Sequence, residues 1–99
     1  MSRSILCDNE NPRCYYCPNM SELHPHHCLY GIYRAKADQY GLWVYLCPEH
    51  HTKGPFAVHS HKGRARAVEL QNLAQIKFEE IYGHDRFIAE FGRNFLGVN

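Results

Sequence analysis

Two pairs of metal-binding residue types share the same spacing in this chain. Cys14 and Cys17 are separated by two residues, and Cys47 and His50 repeat that spacing further along. A gap of two residues lets one tight turn direct both side chains at a single tetrahedral ion, and Cys and His are the ligands that Zn²⁺ prefers. The spacing therefore predicts a structural zinc site with ligands Cys14, Cys17, Cys47 and His50.

The remaining cysteines leave alternatives to this ligand set. Cys7 in place of His50 would give four thiolates, although Cys7 lies in a segment with little to fix its position. In the simplest alternative, Cys47 is a small buried residue and His50 a surface residue, which would leave the first pair without partners. Cys28 lies in an apolar segment beside His27, so we expect it in the core rather than at a metal.

Histidines form a second group, in the adjacent pairs His26-His27 and His50-His51. Neighbouring residues on a strand point to opposite faces, so one of His26 and His27 can bind a metal while the other acts as a base. On a short helix, His51 is turned by about 100° from His50 and points away from the zinc pair. A hairpin followed by that helix would bring His51 back against the first strand. The pattern predicts a second metal site with an open position.

The composition indicates one small domain in a reducing compartment. A chain of 99 residues buries a modest core, so a cross-link is expected, and five cysteines and eight histidines are available to form one. We find no segment typical of a signal peptide or a membrane span. The odd number of cysteines argues against a complete set of disulfides. We expect a cytosolic protein whose cysteines bind metal.

Apolar runs and turn residues predict the elements that must position these groups. We expect a turn-rich metal knuckle at 9–18, a strand at 23–30, a loop at 31–41 and a strand at 42–46. Pro48 and Glu49 favour a short helix that begins at Cys47 and ends at Gly54-Pro55. A loop at 56–63 then leads to helices at 64–82 and 85–91, which the glycines at 83 and 92 terminate.

Helical spacing of apolar residues identifies the face of the longer helix that we expect to be buried. That face carries Leu70, Leu73, Ala74, Phe78 and Ile81, and the opposite face carries Asn72, Gln75 and Glu79. The order of elements predicts an α+β protein, with a zinc-stabilised hairpin and helix beneath two C-terminal covering helices. We expect a single domain over 1–99, with a poorly ordered segment at 1–12, the knuckle and core at 13–62 and the helical cover at 63–99.

Basic residues are unevenly distributed although the net charge is only +1. Between positions 34 and 66 there are six basic residues against two acidic ones. Such a local strip can contact phosphates without a high overall charge, although each residue alone is equally consistent with a solvated loop. We therefore predict DNA contacts by Arg34, Lys36, Lys53, Lys62, Arg64 and Arg66.

The order of these motifs resembles the HNH endonucleases, also called ββα-metal or His-Me finger nucleases. The resemblance covers residues 14–59 and rests on Cys14-x-x-Cys17, His26-His27, the strand at 42–46 and Cys47-Pro-Glu-His50-His51. The stretches Tyr40-Gly-Leu, Ala57-Val-His59, Phe78-Glu-Glu and the closing 91–96 are similar to small phage and prophage proteins of this type. Those proteins are related to the recombination-enhancement, RecA-dependent nucleases.

The resemblance implies a treble-clef-like ββα-metal fold and a metal-dependent DNA endonuclease that processes or recombines phage or prophage DNA in a host cytosol. Its implied partners are DNA and a recombination or packaging protein, with no membrane. It implies the four zinc ligands named above, His27 as the general base, and His26 and His51 as ligands of a catalytic Mg²⁺, Mn²⁺ or Zn²⁺. His59 is implied as a third ligand or a substrate contact. The remaining histidines match no motif position and are expected at the surface: His24, His61 and His84.

The sequence departs from the family pattern at the Asn that normally precedes the second strand. This chain has Gln39-Tyr40-Gly41-Leu42 there, so the group that orients His27 is not identified. An alternative of a different class is a non-catalytic zinc-stabilised adaptor of the same fold that binds DNA or protein. Such an adaptor has no need for the additional histidines His26, His27 and His51.

Overall fold

A two-stranded antiparallel sheet with three helices forms the α+β architecture of this computed structural model, which describes residues 2–96. Strand β1 (His24–His27) pairs with β2 (Trp43–Leu46), so that His26 lies opposite Val44. The sequence Trp-Val-Tyr-Leu of β2 consists of aromatic and aliphatic residues that suit a pleated, buried strand. Both strands lie inside the predicted segments, and β1 is the more shortened of the two.

A helix, α1 (Arg34–Tyr40), connects the strands after a 3₁₀ turn at Gly31–Tyr33, where the sequence predicted a loop. The loop prediction was wrong because a helix of seven residues with only Ala37 buried has no detectable apolar period. Gly41 ends α1 with φ +70°, and a Cβ there would lie 2.0 Å from the Arg3 carbonyl oxygen. Only glycine allows this close approach of the two backbones.

The segment after β2 forms a π-helical turn, Glu49–Lys53, in place of the predicted ordinary helix, and it ends at Gly54 as expected. The amides of His50 and His51 both donate to the Cys47 carbonyl oxygen, at 3.1 and 2.8 Å. The following loop returns to this turn, since the Val58 amide donates to the His50 carbonyl and the His59 amide to the His51 carbonyl. These bonds fix His59 beside the turn.

Helix α2 (Arg64–Tyr82) has the predicted bounds, and α3 (His84–Phe91) begins one residue earlier than predicted. Leu70, Ala74 and Phe78 of α2 are fully buried in the core that β2 and α3 complete. Phe78 packs edge-on against Phe87 of α3, with ring centroids 5.4 Å apart. The two helices therefore share one hydrophobic core with the strands.

Two positions on α2 contradict the predicted faces. Ile81 is 58% exposed, because α2 ends one residue later and the chain turns away into α3. Gln75 is fully buried: its Oε1 accepts the Phe95 amide at 2.6 Å, and its Nε2 donates to Asn94 and Glu79 at 2.8 Å. A buried amide with all of these partners is stable in the core. Gln75 thereby anchors the chain that follows α3.

The N-terminal residues pack against the sheet. The Ile5 amide donates to the Gly41 carbonyl oxygen at 2.9 Å, the indole of Trp43 donates to the Ser2 carbonyl at 2.9 Å, and the Ser4 hydroxyl donates to the Trp43 carbonyl.

Among residues 2–96, none of the helices has both the length and the apolar character needed to cross a bilayer.

Candidate metal centres

Cys14, Cys17, Cys47 and His50 lie together, with their donor atoms all within 4.8 Å of one another. The Sγ atoms of Cys17 and Cys47 are 3.8 Å apart, and Nδ1 of His50 is 3.3 Å from Sγ of Cys47 and 3.6 Å from Sγ of Cys14. A tetrahedral zinc with bonds of about 2.3 Å separates two sulfurs by about 3.8 Å. This Cys3His group could therefore hold a metal such as zinc.

Three separate parts of the chain supply the Cys3His group. The Cys14 amide donates to the Asn19 carbonyl at 2.8 Å, which closes the knuckle, and the Tyr15 amide donates to the Tyr45 carbonyl at 2.9 Å, which attaches the knuckle to β2. Cys47 directly follows β2, and His50 lies in the π-helical turn. The group therefore joins knuckle, strand and turn at one point.

The other two cysteines lie outside this group. Cys7 is half-buried and does not belong to the cluster, so the structure places His50, and not Cys7, with the three thiols. Cys28 is fully buried in the hydrophobic core, as predicted, and burial raises the pKa of its thiol. A neutral buried thiol of this kind packs as a small apolar residue.

The thiol of Cys47 is poised to ionise. Burial alone would raise its pKa, but hydrogen bonds from the His50 ring and amide, together with those from Cys14 and Cys17, lower it to about 6. A metal ligand has to be a thiolate. The surroundings of Cys47 therefore favour the protonation state that coordination requires.

A second group brings together His26, His51 and His59, again with donor atoms within 4.8 Å of one another. The Nε2 atoms of His51 and His59 are 3.0 Å apart, and the ring centroids of His26 and His59 are 5.1 Å apart. Within residues 2–96, Nε2 of the buried His26 and Nδ1 of His51 have no hydrogen-bond partner. Leaving such an atom unpaired costs about 1–3 kcal/mol, so this three-histidine group is suited to a ligand.

Two rings of the three-histidine group, those of His26 and His51, favour the neutral form. Burial, then the charges of His59, His51 and His27, lowers the pKa of His26 to about 3. Burial and the charges of His59 and His24 also lower the pKa of His51. Neutral imidazoles carry the lone pairs that a metal ion needs, and bound metal would relieve the close approach of two ring nitrogens.

His27 points away from His26 and contacts helix α1. Its Nε2 lies 2.8 Å from Oδ1 of Asp38, and its side chain is only 10% exposed. The hydrogen bond from His27 holds the pKa of Asp38 below its ordinary value, so the carboxylate is ionised and can only accept. The ring therefore donates to Asp38 from Nε2.

The sequence did not identify Asp38. Its segment was predicted as a loop, and nothing in the spacing placed residue 38 beside residue 27. The one available signal was an acidic residue in the short connection between the two strands. The structure places this carboxylate where the sequence had left the orientation of His27 unexplained.

Two open cavities connect these groups. The first, here the His27 cavity, has a volume of about 240 Å³ and is bordered by His27, Arg34 and the three-histidine group. The second, here the Arg64 cavity, has a volume of about 470 Å³ and is bordered by His26, His59, Tyr30, His61 and Arg64. The His27 cavity therefore borders β1 at His27, and the Arg64 cavity borders it at His26.

The predicted DNA-binding residues differ in their surroundings. Arg34 and Arg64 border the two cavities. Lys36 instead forms an ion pair with Glu90, and Lys53 is exposed at the end of the π-helical turn. The structure thus brings only the two arginines next to the histidines.

The last two basic residues lie around Phe56. Arg66 donates to the Phe56 carbonyl oxygen at 3.2 Å and stacks on Tyr16, with 5.0 Å between guanidinium and ring. Lys62 lies 6.0 Å from the centre of the Phe56 ring. Arg66 therefore has intramolecular partners that occupy its guanidinium.

The remaining histidines are exposed, as predicted, but two of them have defined neighbours. Nδ1 of His84 lies 2.7 Å from a Glu79 carboxylate oxygen. The His24 ring lies 5.6 Å from that of His51, and His61 borders the Arg64 cavity.

The chain matches no protein-family profile, and neither a curated protein nor a solved structure is significantly similar to it.

Proposed function

We propose that the chain is a metal-dependent DNA endonuclease with a zinc-stabilised HNH, or ββα-metal, core. The observation that carries the proposal is the presence of two separate ligand groups, one closed and one open to a cavity. His26 of the open group lies on the same strand as His27, whose ring contacts the Asp38 carboxylate. A metal-ligand group beside an oriented base is the arrangement that metal-dependent hydrolysis of a phosphodiester requires.

The Cys3His group has the features of a structural zinc site. Its four ligands complete a tetrahedron, and two of them, Cys14 and Cys47, are buried. Structural zinc sites are closed in this way and contribute directly to folding. We therefore assign zinc to this group and expect it to hold the knuckle against β2.

The three-histidine group has the features of a catalytic site. Three protein ligands would leave coordination positions of a metal open, and all three histidines border the His27 cavity. A Mg²⁺, Mn²⁺ or Zn²⁺ ion held there would neutralise negative charge on the phosphate. His26, His51 and His59 would be its ligands, and a buried, unpaired Nε2 on His26 supports that role.

His27 is the group we assign as general base. With Nε2 donating to Asp38, Nδ1 remains free to take a proton from the attacking water. The water oxygen forms a bond to phosphorus as the bond to the 3′ oxygen breaks, and the leaving oxygen is protonated. The products carry 5′-phosphate and 3′-hydroxyl ends. Asp38 acts as a positioning residue in place of the missing motif Asn.

DNA is the proposed partner, and the cavities suggest which basic residues contact it. Arg34 and Arg64 lie at the cavities and would contact phosphates near the cleaved bond. Lys53 and Lys62 are exposed and would contact the backbone further away. A role in phage or prophage DNA processing, with a recombination or packaging protein as a further partner, is supported by the resemblance alone.

The competing proposal, a zinc-stabilised adaptor, accounts for only half of these features. An adaptor needs the Cys3His group, but it gives no reason for the buried, unpaired nitrogen of His26 or for the contact between His27 and Asp38. Burying these groups without a function costs stability. The geometry therefore favours the nuclease.

Plasmid nicking with added Mg²⁺, Mn²⁺ or Zn²⁺ tests the proposal. His27→Ala should lower the cleavage rate by about two to four orders of magnitude, the usual contribution of general acid–base catalysis, while leaving folding and DNA binding intact. His84→Ala is the matched control, because this exposed histidine at the start of α3 is paired with Glu79 of α2. Equal cleavage rates for wild type and His27→Ala would refute the role of His27 as the base. No cleavage by wild type with any metal would refute the nuclease proposal.

A further inference from the structure

The roles proposed above use His26 and His59 as metal ligands and Arg64 as a phosphate contact, but they do not account for the Arg64 cavity that these residues border. Its volume of about 470 Å³ lies within the range of about 300–1,000 Å³ typical of small-ligand pockets. Val58 and Ala67 line it with apolar surface, while His26 and His59 of the three-histidine group border it directly. Whatever occupies this cavity therefore lies next to the proposed cleavage site.

Three side chains around the cavity have no intramolecular role. In the part of the chain that the structure describes, Tyr30, His61 and Arg64 form no side-chain hydrogen bond or ion pair. Arg66, two residues beyond Arg64 on the same helix, is by contrast occupied by Phe56 and Tyr16. Arg64 thus presents an unshared positive charge to the cavity.

The chemistry of the lining matches the parts of one nucleotide. Tyr30 is 41% exposed and has no aromatic neighbour among residues 2–96, so its ring is free to stack. Bases stack on such rings, and guanidinium groups bind phosphates. The apolar wall formed by Val58 and Ala67 suits the face of a base rather than a second charged group.

We propose that the Arg64 cavity binds the nucleotide next to the scissile phosphate, with its base unpaired and stacked on Tyr30 and its phosphate on Arg64. The inference rests on the nuclease function proposed above and specifies its substrate class. A base that is paired in a duplex has to leave the stack to enter a pocket. The preferred substrate is therefore DNA that is single-stranded or locally unpaired at the cleavage site.

Cleavage of three oligonucleotide substrates of one sequence tests this inference: a single strand, a perfect duplex and a duplex with a central unpaired bubble. We expect wild type to cleave the strand and the bubble faster than the duplex. Tyr30→Leu should weaken single-strand cleavage by about 5- to 150-fold, the range that corresponds to loss of one base–aromatic stack, while duplex cleavage stays unchanged. Tyr30→Phe keeps the ring and should retain the wild-type rate.

Arg64→Gln should raise KM for the single strand and leave kcat near the wild-type value. The matched control is Tyr82→Leu, because Tyr82 is 44% exposed, similar to Tyr30, but lies at the end of α2 away from the cavity. Thermal melting of each variant checks that it is folded. Equal cleavage of strand and duplex by wild type, or equal losses on both substrates in Tyr30→Leu, would overturn the inference.

Direct binding separates this inference from the nuclease proposal. Fluorescence anisotropy with a short fluorescein-labelled oligothymidine reports occupation of the cavity whether or not cleavage occurs. If no substrate is cleaved with any metal, yet Tyr30→Leu and Arg64→Gln weaken oligothymidine binding and Tyr82→Leu does not, the nuclease proposal fails and the nucleotide site stands. If the same two variants bind like wild type, the nucleotide site fails.

Discussion

His50 and His51 are neighbours in sequence but should respond differently to replacement by alanine. Nδ1 of His50 lies with the thiols of Cys14 and Cys47, whereas the His51 ring lies with His26 and His59. His50→Ala removes one ligand of a closed site that we assign to zinc. His51→Ala removes one ligand of an open site that we assign to the catalytic metal.

The expected losses of stability differ in size. Structural zinc contributes about 10–16 kcal/mol in small zinc-dependent folds, so a quarter of that contribution is about 3 kcal/mol. At about 4–8 °C per kcal/mol for a domain of this size, His50→Ala should lower Tm by roughly 12–24 °C. His51→Ala loses one contact at 3.0 Å, worth about 0.5–1.5 kcal/mol, and also removes a buried, unpaired nitrogen. Because these two effects have opposite signs, the net change in stability should stay within about 1 kcal/mol, and Tm should change by less than about 8 °C.

Three measurements on each variant decide the matter: Tm, zinc content by atomic emission, and plasmid nicking with the metal that supports wild-type cleavage. His50→Ala should lose zinc and stability. His51→Ala should keep both and lose cleavage, with His84→Ala as the control that changes none of the three. If His51→Ala loses zinc and stability while His50→Ala keeps them, the two assignments are reversed. If both variants cleave like wild type, the three-histidine group is not the catalytic metal site; the adaptor proposal is the correct one only if wild type itself cleaves no DNA with any metal.

Two further predictions concern the Cys3His group and the contact between His27 and Asp38. Cys14→Ser should abolish zinc binding and unfold the knuckle and hairpin, as seen by near-UV circular dichroism, whereas Cys7→Ser should retain zinc; zinc in folded Cys14→Ser would contradict the assignment. Asp38→Ala should lower kcat by at least about tenfold with little change in KM, because it removes the hydrogen bond that orients the His27 ring. Asp38→Asn should restore part of that loss, and an unchanged kcat in Asp38→Ala would exclude the positioning role.

Short-range spacing carried most of the structural information that was available in the sequence. Two residues between Cys14 and Cys17, and between Cys47 and His50, restrict each pair to one turn, and the structure brings the two pairs together. Gly83 likewise predicted the end of α2, which the structure has at Tyr82. Local patterns of this kind depend little on the rest of the fold.

Features that depend on distant contacts could not be predicted. Asp38 contacts His27 from α1, a helix that no apolar spacing in the sequence indicates. Gln75 is buried only because the chain after α3 returns to it and supplies the amide of Phe95. In both cases a polar residue acquires its role from a partner that no local pattern specifies.

The backbone between the two ligand groups links the position of one to the position of the other. The His50 and His51 amides share the Cys47 carbonyl oxygen, and the His59 amide donates to the His51 carbonyl. Fixing Cys47 and His50 on a metal therefore also fixes the backbone from which His51 and His59 project. Zinc in the closed group would thus also hold the backbone of the open group, and by reciprocity a ligand on the open group would favour the arrangement that binds zinc.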